Sequence, residues 1–141
     1  AALLTPNAPE AEVLTGKRVD TLDGQRRAAE RLLEAGAKAA LVKGGHVDGD
    51  EITDVLATHA GELFFKSARI DTRHTHGTGC TLASAIAAGL AQGLDLPDAV
   101  DAARAYLIEA IARAPGFGAG HGPLDHGWPL RAARDQLKER R

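Results

Sequence analysis

The sequence predicts an α/β fold, and three observations carry the prediction. An amphipathic stripe over residues 21–35 runs directly into a short, continuous apolar stretch at 38–43. Two extended runs, 52–58 and 62–66, then bracket a corner of His59, Ala60 and Gly61. After a glycine turn at 77–79, two further helical stripes follow one another. Helix, strand, hairpin, helix, helix is the order of a sheet covered by helices.

Each element has its own warrant. In the first helix Ala28, Ala29, Leu32 and Leu33 recur at i, i+1, i+4 and i+5 among Arg26, Arg27, Glu30, Arg31 and Glu34. Thr21 or Asp23 can cap its start, and Gly36 can take the left-handed closing position. The run KAALVK (38–43), bounded by Gly44 and Gly45, fits a buried parallel strand. ITDVLAT and ELFFK form the hairpin, placed near the edge of the sheet, and a further strand is expected at 68–71. A second helix spans about 79–92, with Leu82, Ala85, Ile86, Gly89 and Leu90 on one face. A third starts near Pro97 and carries Val100, Ala103, Leu107, Ala110, Ile111 and Ala114 as its stripe. Residues 115–129 (PGFGAGHGPLDHGWP) are too rich in Gly and Pro for regular structure, and loops of that length are usually functional. The last eleven residues, RAARDQLKERR, read as a solvated helix or a frayed tail, a segment separate from a body at 1–130. LLTPN at the start reads as the end of a strand with no preceding element to support it, so further structure is expected upstream.

Composition bounds the function. A length of 141 residues with 44% apolar side chains suits one domain with a core. With 17 basic and 19 acidic residues the formal charge is −2, which offers no broad attraction for nucleic acid or an anionic membrane. No apolar run approaches the roughly 20 residues of a membrane span, and the N-terminus lacks a charged-then-apolar signal pattern. A single cysteine cannot form an internal disulfide, so the expected setting is reducing and cytoplasmic.

Three short stretches could carry chemistry. In THGTGCT (75–81), glycines precede a helix whose first N–H groups have no internal partner, which makes an anion site and favours Cys80 as a thiolate. The alternative is a small residue packed in a tight turn. In TPNAPEAE (5–12), Asn7 and Glu10 stand three apart and can hold a hydrated Mg²⁺ from one face of a first turn. Equally, Asn7 can be an N-cap, with Pro9 in the first turn and Glu10 as the capping-box acid. In KGGH, Lys43 stands beside Gly44 and Gly45 at the carboxyl end of a strand, where a phosphate can be approached; an exposed turn is the other reading. His74 and His76 are two apart, His121 and His126 sit in the glycine-rich loop, and no cysteine pair supports a zinc site.

The order of these stretches is more specific than any one of them. TPNxPEAExL, LVKGGH, TRHTHGTGCTLASAIAAGLA, AYL and GHGPLDH, in that sequence, closely resemble the hydroxymethylpyrimidine phosphate kinases of thiamine biosynthesis, members of the ribokinase-like family. The resemblance runs from Leu3 to about Pro129 and implies the C-terminal half of a three-layer sandwich with a mostly parallel central sheet. Family members carry a further N-terminal half that supplies most of the pyrimidine pocket.

The resemblance implies transfer of the γ-phosphoryl of ATP to hydroxymethylpyrimidine and then to its monophosphate. Carried over by position, Gly77, Thr78 and Gly79 belong to an anion hole and Cys80 is the base. Lys43 lies near the ATP phosphates with Gly44 and Gly45 beside it. Ala103 and Leu107 are candidates for the adenine side, and residues 118–122 for a cover over it. Asn7 and Glu10 match an Asn-x-x-Glu motif that positions Mg²⁺ and phosphates through water. A pyridoxal or pyridoxine kinase of the same family is the alternative, and a non-catalytic nucleotide-binding fragment is the alternative of another class. A half-sheet exposes an apolar edge, so self-association or association with an N-terminal half is expected.

Overall fold

A computed structural model describes residues 1–47, 49–72 and 75–139, with 134–139 described through the backbone alone. His74, weighed above as a metal ligand, lies outside the described residues. The chain forms two compact units, Ala1–Arg69 and Ile70–Arg141.

The first unit holds helices α1 (Ala8–Thr15) and α2 (Leu22–Glu34) and strands β1 (Ala39–Val42), β2 (Glu51–Thr58) and β3 (Gly61–Ala68). Thr21 caps α2, its hydroxyl accepting from Gly24 N–H at 3.1 Å. The helical stripe then buries Ala28, Ala29 and Leu32 against Ala8 and Ala11 of α1 and against Ala40, Val42 and Ala57 of the sheet. These side chains are small, so backbones approach closely and the core is a thin layer of alanine, valine and leucine.

β1 is buried along its whole length, as its continuous apolar run predicts. The strand order is β1-β2-β3 and both pairings are antiparallel, Leu41 facing Leu56 and Val55 facing Phe64. The expected parallel pairing is met within this chain along one side of β1. There Leu4 bridges Ala40 and Asn7 bridges Lys43, with Leu41 N–H donating to Leu4 at 2.8 Å and Lys43 N–H to Pro6 at 2.9 Å.

The strand expected at 68–71 is not formed. β3 ends at Ala68; Arg69 still donates its N–H to the Asp50 carbonyl at 2.8 Å, and its guanidinium donates to the carbonyls of Gly45, Val47 and Gly49 at 2.8, 2.6 and 2.7 Å. Those bonds tie the end of the hairpin to the 44–50 loop.

The second unit holds α3 (Thr78–Ala91), α4 (Leu96–Ala112) and α5 (Trp128–Glu139). Gly89 lets α3 lie close to α4: a Cβ there would stand 3.2 Å from that of Ala99. Asp95 caps α4, accepting from Asp98 N–H at 3.0 Å. The Gly/Pro segment is irregular but tethered, Asp125 N–H donating to Ala110 at 3.0 Å and Leu124 being buried. The charged tail is helical, and its helix begins at Trp128, ahead of residue 131. No described helix is long and apolar enough to cross a membrane.

Candidate functional site

In the first unit, the parallel bridge places Asn7 beside Lys43 and so brings TPNAPE and KGGH together at one end of β1. Asn7 is the N-cap of α1: its Oδ1 accepts from Glu10 N–H at 2.8 Å, and Glu10 Oε2 accepts from Asn7 N–H at 2.8 Å. The pair is therefore a capping box, with Pro9 in the first turn. This engages one oxygen of each side chain, and Glu10 is exposed.

The KGGH turn is held by residues that sequence reading passed over. Gly44 N–H donates to the buried carboxylate of Asp54 at 2.8 Å, and Val47 N–H closes the turn onto the Gly44 carbonyl at 2.9 Å. Gln25, buried on α2, donates through Nε2 to Val42 at 3.1 Å and Thr53 at 2.9 Å, tying the end of β1 to β2. Arg69 ties the far side of the loop through its three carbonyl contacts. The available signal for Asp54 was an acid in the middle of an inward-facing strand run. Arg69 had none, because its partners are backbone atoms twenty or more residues back. Gly44 is required sterically: a Cβ there would stand 2.1 Å from the Thr53 carbonyl oxygen. Lys43 is half-buried and Gly45 exposed.

In the second unit, Gly77 is the N-cap of α3 in the left-handed conformation, φ +82°, with no side-chain cap. Thr78 N–H bonds back to Thr75 at 3.3 Å and Thr81 N–H to Gly77 at 2.9 Å. Between them, the amides of Gly79 and Cys80 have no hydrogen-bond acceptor among the described residues. These amides carry the positive end of the helix dipole, so the turn is suited to an anion. Cys80, in the same turn, is exposed.

The Cys80 face of α3 opens onto a cleft of about 600 Å³ whose lining includes Ser84, Ala88, Ala103, Tyr106 and His126. Ala103, expected on the adenine side, thus shares the cleft with Cys80. Leu107 is half-buried on α4 and is not part of the cleft's lining among the described residues. Tyr106 Oη lies 3.3 Å from His126 Nδ1 and donates to its carbonyl at 3.3 Å, with its ring 5.9 Å from that of Trp128. Through these contacts the Gly/Pro segment meets α4. Asp125 is bonded to Arg131, which holds its carboxyl below the ordinary value and fixes the segment to α5.

The model of the family described as phosphomethylpyrimidine kinase matches residues 1–125. The chain belongs to the phosphomethylpyrimidine kinase family. Similar members include the hydroxymethylpyrimidine/phosphomethylpyrimidine kinases of Streptomyces coelicolor, 50% identical over 92% of this chain and 48% of the relative, and of Bacillus subtilis, 44% identical over 87% and 46%. The chain spans about half the length of the curated relatives it matches.

Solved structures of the ribokinase-like fold agree in architecture. Bacillus subtilis pyridoxal kinase, solved as an ADP complex, superposes with a TM-score of 0.86 at 33% identity, over 94% of this chain and 52% of that one. Phosphomethylpyrimidine kinase from Clostridium difficile superposes at 0.64 with 38% identity, over 79% and 43%. The residue roles in this family member rest on motif position together with the local geometry just described.

Proposed function

We propose that the protein carrying this chain transfers the γ-phosphoryl of ATP to hydroxymethylpyrimidine and then to its monophosphate, giving the diphosphate used to build thiamine in the cytoplasm. The observation that carries the proposal is the glycine-capped start of α3, with free amides at Gly79 and Cys80 and an exposed thiol in the same turn. Phosphoryl transfer needs little covalent help and much positioning, and charge on the equatorial oxygens is what donors must meet. Gly77, Thr78, Gly79 and Cys80 are assigned to this anion hole, and the amides of Gly79 and Cys80, without an acceptor among the described residues, supply the donors.

Cys80 sulfur takes the proton of the acceptor hydroxyl; that oxygen bonds to the γ-phosphorus as the bond to the β,γ-bridging oxygen breaks, and ADP leaves. Lys43 is assigned to the ATP phosphates, with Gly44 and Gly45 leaving room for their approach. Ala103 and Leu107 are assigned to the adenine side.

Asn7 and Glu10 fit a hydrated Mg²⁺ and not a direct cage. Among the described residues no three His, Cys, Asp or Glu side chains gather around one point, and Glu10 bonded through Oε2 keeps a second oxygen for metal-bound water. When bound with ATP, Mg²⁺ neutralises phosphate charge.

The test is ATP-dependent formation of the pyrimidine diphosphate. Cys80→Ala is expected to lower kcat by about 10²-fold or more, the scale of a lost general base; an unchanged rate would remove Cys80 from the mechanism. A pyridoxal kinase is the second reading, favoured by the closer superposition of pyridoxal kinases, up to a TM-score of 0.88 for the Staphylococcus aureus enzyme. The identities run the other way, 31% for that structure against 50% for the Streptomyces coelicolor relative. Side-by-side kcat/KM on the pyrimidine monophosphate and pyridoxal decides between them.

A further inference from the structure

β1 and β2 separate at the KGGH turn. Their ladder runs from Ala39 against Thr58 to Val42 against Val55, and the same register carried one step on sets Lys43 opposite Asp54. Opposed residues share one face of a sheet. The parallel bridge puts Asn7 on the other side of Lys43, so Asn7, Lys43 and Asp54 form one row across three segments. Beyond this row, side chains take over from the ladder. Gln25 Nε2 bonds the carbonyls of Val42 and Thr53, and the Gly44 N–H donates to Asp54 Oδ1 at 2.8 Å.

On stability grounds alone Asp54 is a costly residue for its position. Aspartate is depleted in strands, burying a carboxylate is unfavourable, and Asp54 is 5% exposed at the head of the buried run DVLA. A valine there would suit the strand but would leave the Gly44 amide without this acceptor. The carboxylate therefore answers to the turn. With it in place Gly44 is held at both polar groups, its N–H by Asp54 and its C=O by Val47 N–H at 2.9 Å. On the preceding side, Lys43 N–H donates to the Pro6 carbonyl at 2.9 Å. Lys43 thus projects from a backbone fixed before and after it.

We propose that Asp54 is a positioning residue for the nucleotide phosphates, acting through the Gly44 amide to fix the direction in which Lys43 and the following turn meet them. The proposal rests on the kinase reading, which assigns Lys43 to the ATP phosphates. Asp54 itself makes no contact with phosphate in this role, because two anions repel.

Nucleotide affinity and steady-state kinetics test the proposal, in a protein carrying this chain at the length of its curated relatives. Asp54→Ala removes the acceptor of the Gly44 N–H and is expected to raise the Kd for Mg-ADP and the KM for ATP about tenfold, the scale of one hydrogen bond to a charged group. Because the lost contact serves ground state and transition state alike, kcat at saturating ATP is expected to stay within about twofold. Asp54→Asn keeps an acceptor oxygen in place and is expected to remain within about threefold of wild type in both Kd and KM. Leu56→Ala, buried on the same face of β2, is the stability control: it should lower the melting temperature and leave the KM for ATP unchanged. Unaltered ADP affinity in Asp54→Ala, or Asp54→Asn as weak as Asp54→Ala, overturns the proposal. So does an equal loss of ADP affinity in Leu56→Ala, which would mark a general loosening of the sheet. Amide exchange on the unmodified protein covers an Asp54→Ala variant that does not fold: the Gly44 amide is expected to be protected, and exchange there as fast as an unbonded amide overturns the proposal. A wild type that binds no Mg-ADP overturns the proposal together with the kinase reading. A wild type that binds Mg-ADP but forms no pyrimidine diphosphate contradicts that reading alone, and the Kd values of the Asp54 variants still decide this one.

Discussion

Gly77 and Gly44 are glycines for different reasons, and each reason predicts a different failure. Gly77 has φ +82° at the start of α3, where an L side chain meets the following carbonyl, so Gly77→Ala is expected to cost about 1–2 kcal/mol and to reorient the turn that presents the Gly79 and Cys80 amides. Chemical denaturation reads the stability, and kcat reads the turn. Gly44 has no such backbone demand. A Cβ there would collide with the Thr53 carbonyl oxygen at 2.1 Å, so Gly44→Ala must push β2 and the KGGH turn apart, with an expected loss of about 1–3 kcal/mol. At this scale the motifs were legible in the sequence, because TPNAPE, KGGH and THGTGCT are contiguous. Asp54, Gln25 and Arg69 were not, because each acts on backbone groups far away in the sequence, and an orienting hydrogen bond to a carbonyl leaves no pattern of spacing.

The elements follow from periodicity wherever one face is buried. The stripe at 21–35 became α2 with Thr21 as its cap, the apolar run became β1, and the two hairpin strands appeared one and three residues longer than the runs 52–58 and 62–66. The strand expected at 68–71 stops at Ala68, and beyond it Arg69 bonds the 44–50 loop through both its N–H and its guanidinium. Arg69→Ala should therefore loosen the 44–50 loop while leaving β3 intact. Exchange of the Val47 amide, bonded across that loop, is expected to quicken about tenfold, the equivalent of one net hydrogen bond. At the junction of the Gly/Pro segment with α5, the Asp125 carboxyl is held down chiefly by its hydrogen bond to Arg131, against a desolvation effect that raises it. A lowered carboxyl pKa stabilises the fold above the group's ordinary value, and that contribution disappears as pH falls through the lowered one. Asp125→Asn should reduce thermal stability at pH 7 and flatten its decline below about pH 4, the ordinary carboxylate range. Melting curves at both pH values would contradict this if wild type and variant declined in parallel.

At the scale of the whole molecule the chain is two units that match about half of their relatives' length. The α/β class was legible from the order of elements, and the family from the order of motifs. The antiparallel direction of β1 against β2 was not legible from β1, because a strand buried on both faces shows no alternation and its apolar run fits either direction. Placement of Asn7 beside Lys43 came from the parallel bridge and not from spacing, since the two stand 36 positions apart.

The central claim, that this chain belongs to an enzyme whose α3 turn drives phosphoryl transfer to a pyrimidine, rests most directly on one assay. With ATP, Mg²⁺ and hydroxymethylpyrimidine monophosphate, a protein carrying this chain at the length of its curated relatives should release ADP and the pyrimidine diphosphate in equal amounts. Cys80→Ala should reduce both together. Absence of the diphosphate product with a folded protein, or a Cys80→Ala variant as fast as wild type, would contradict the account.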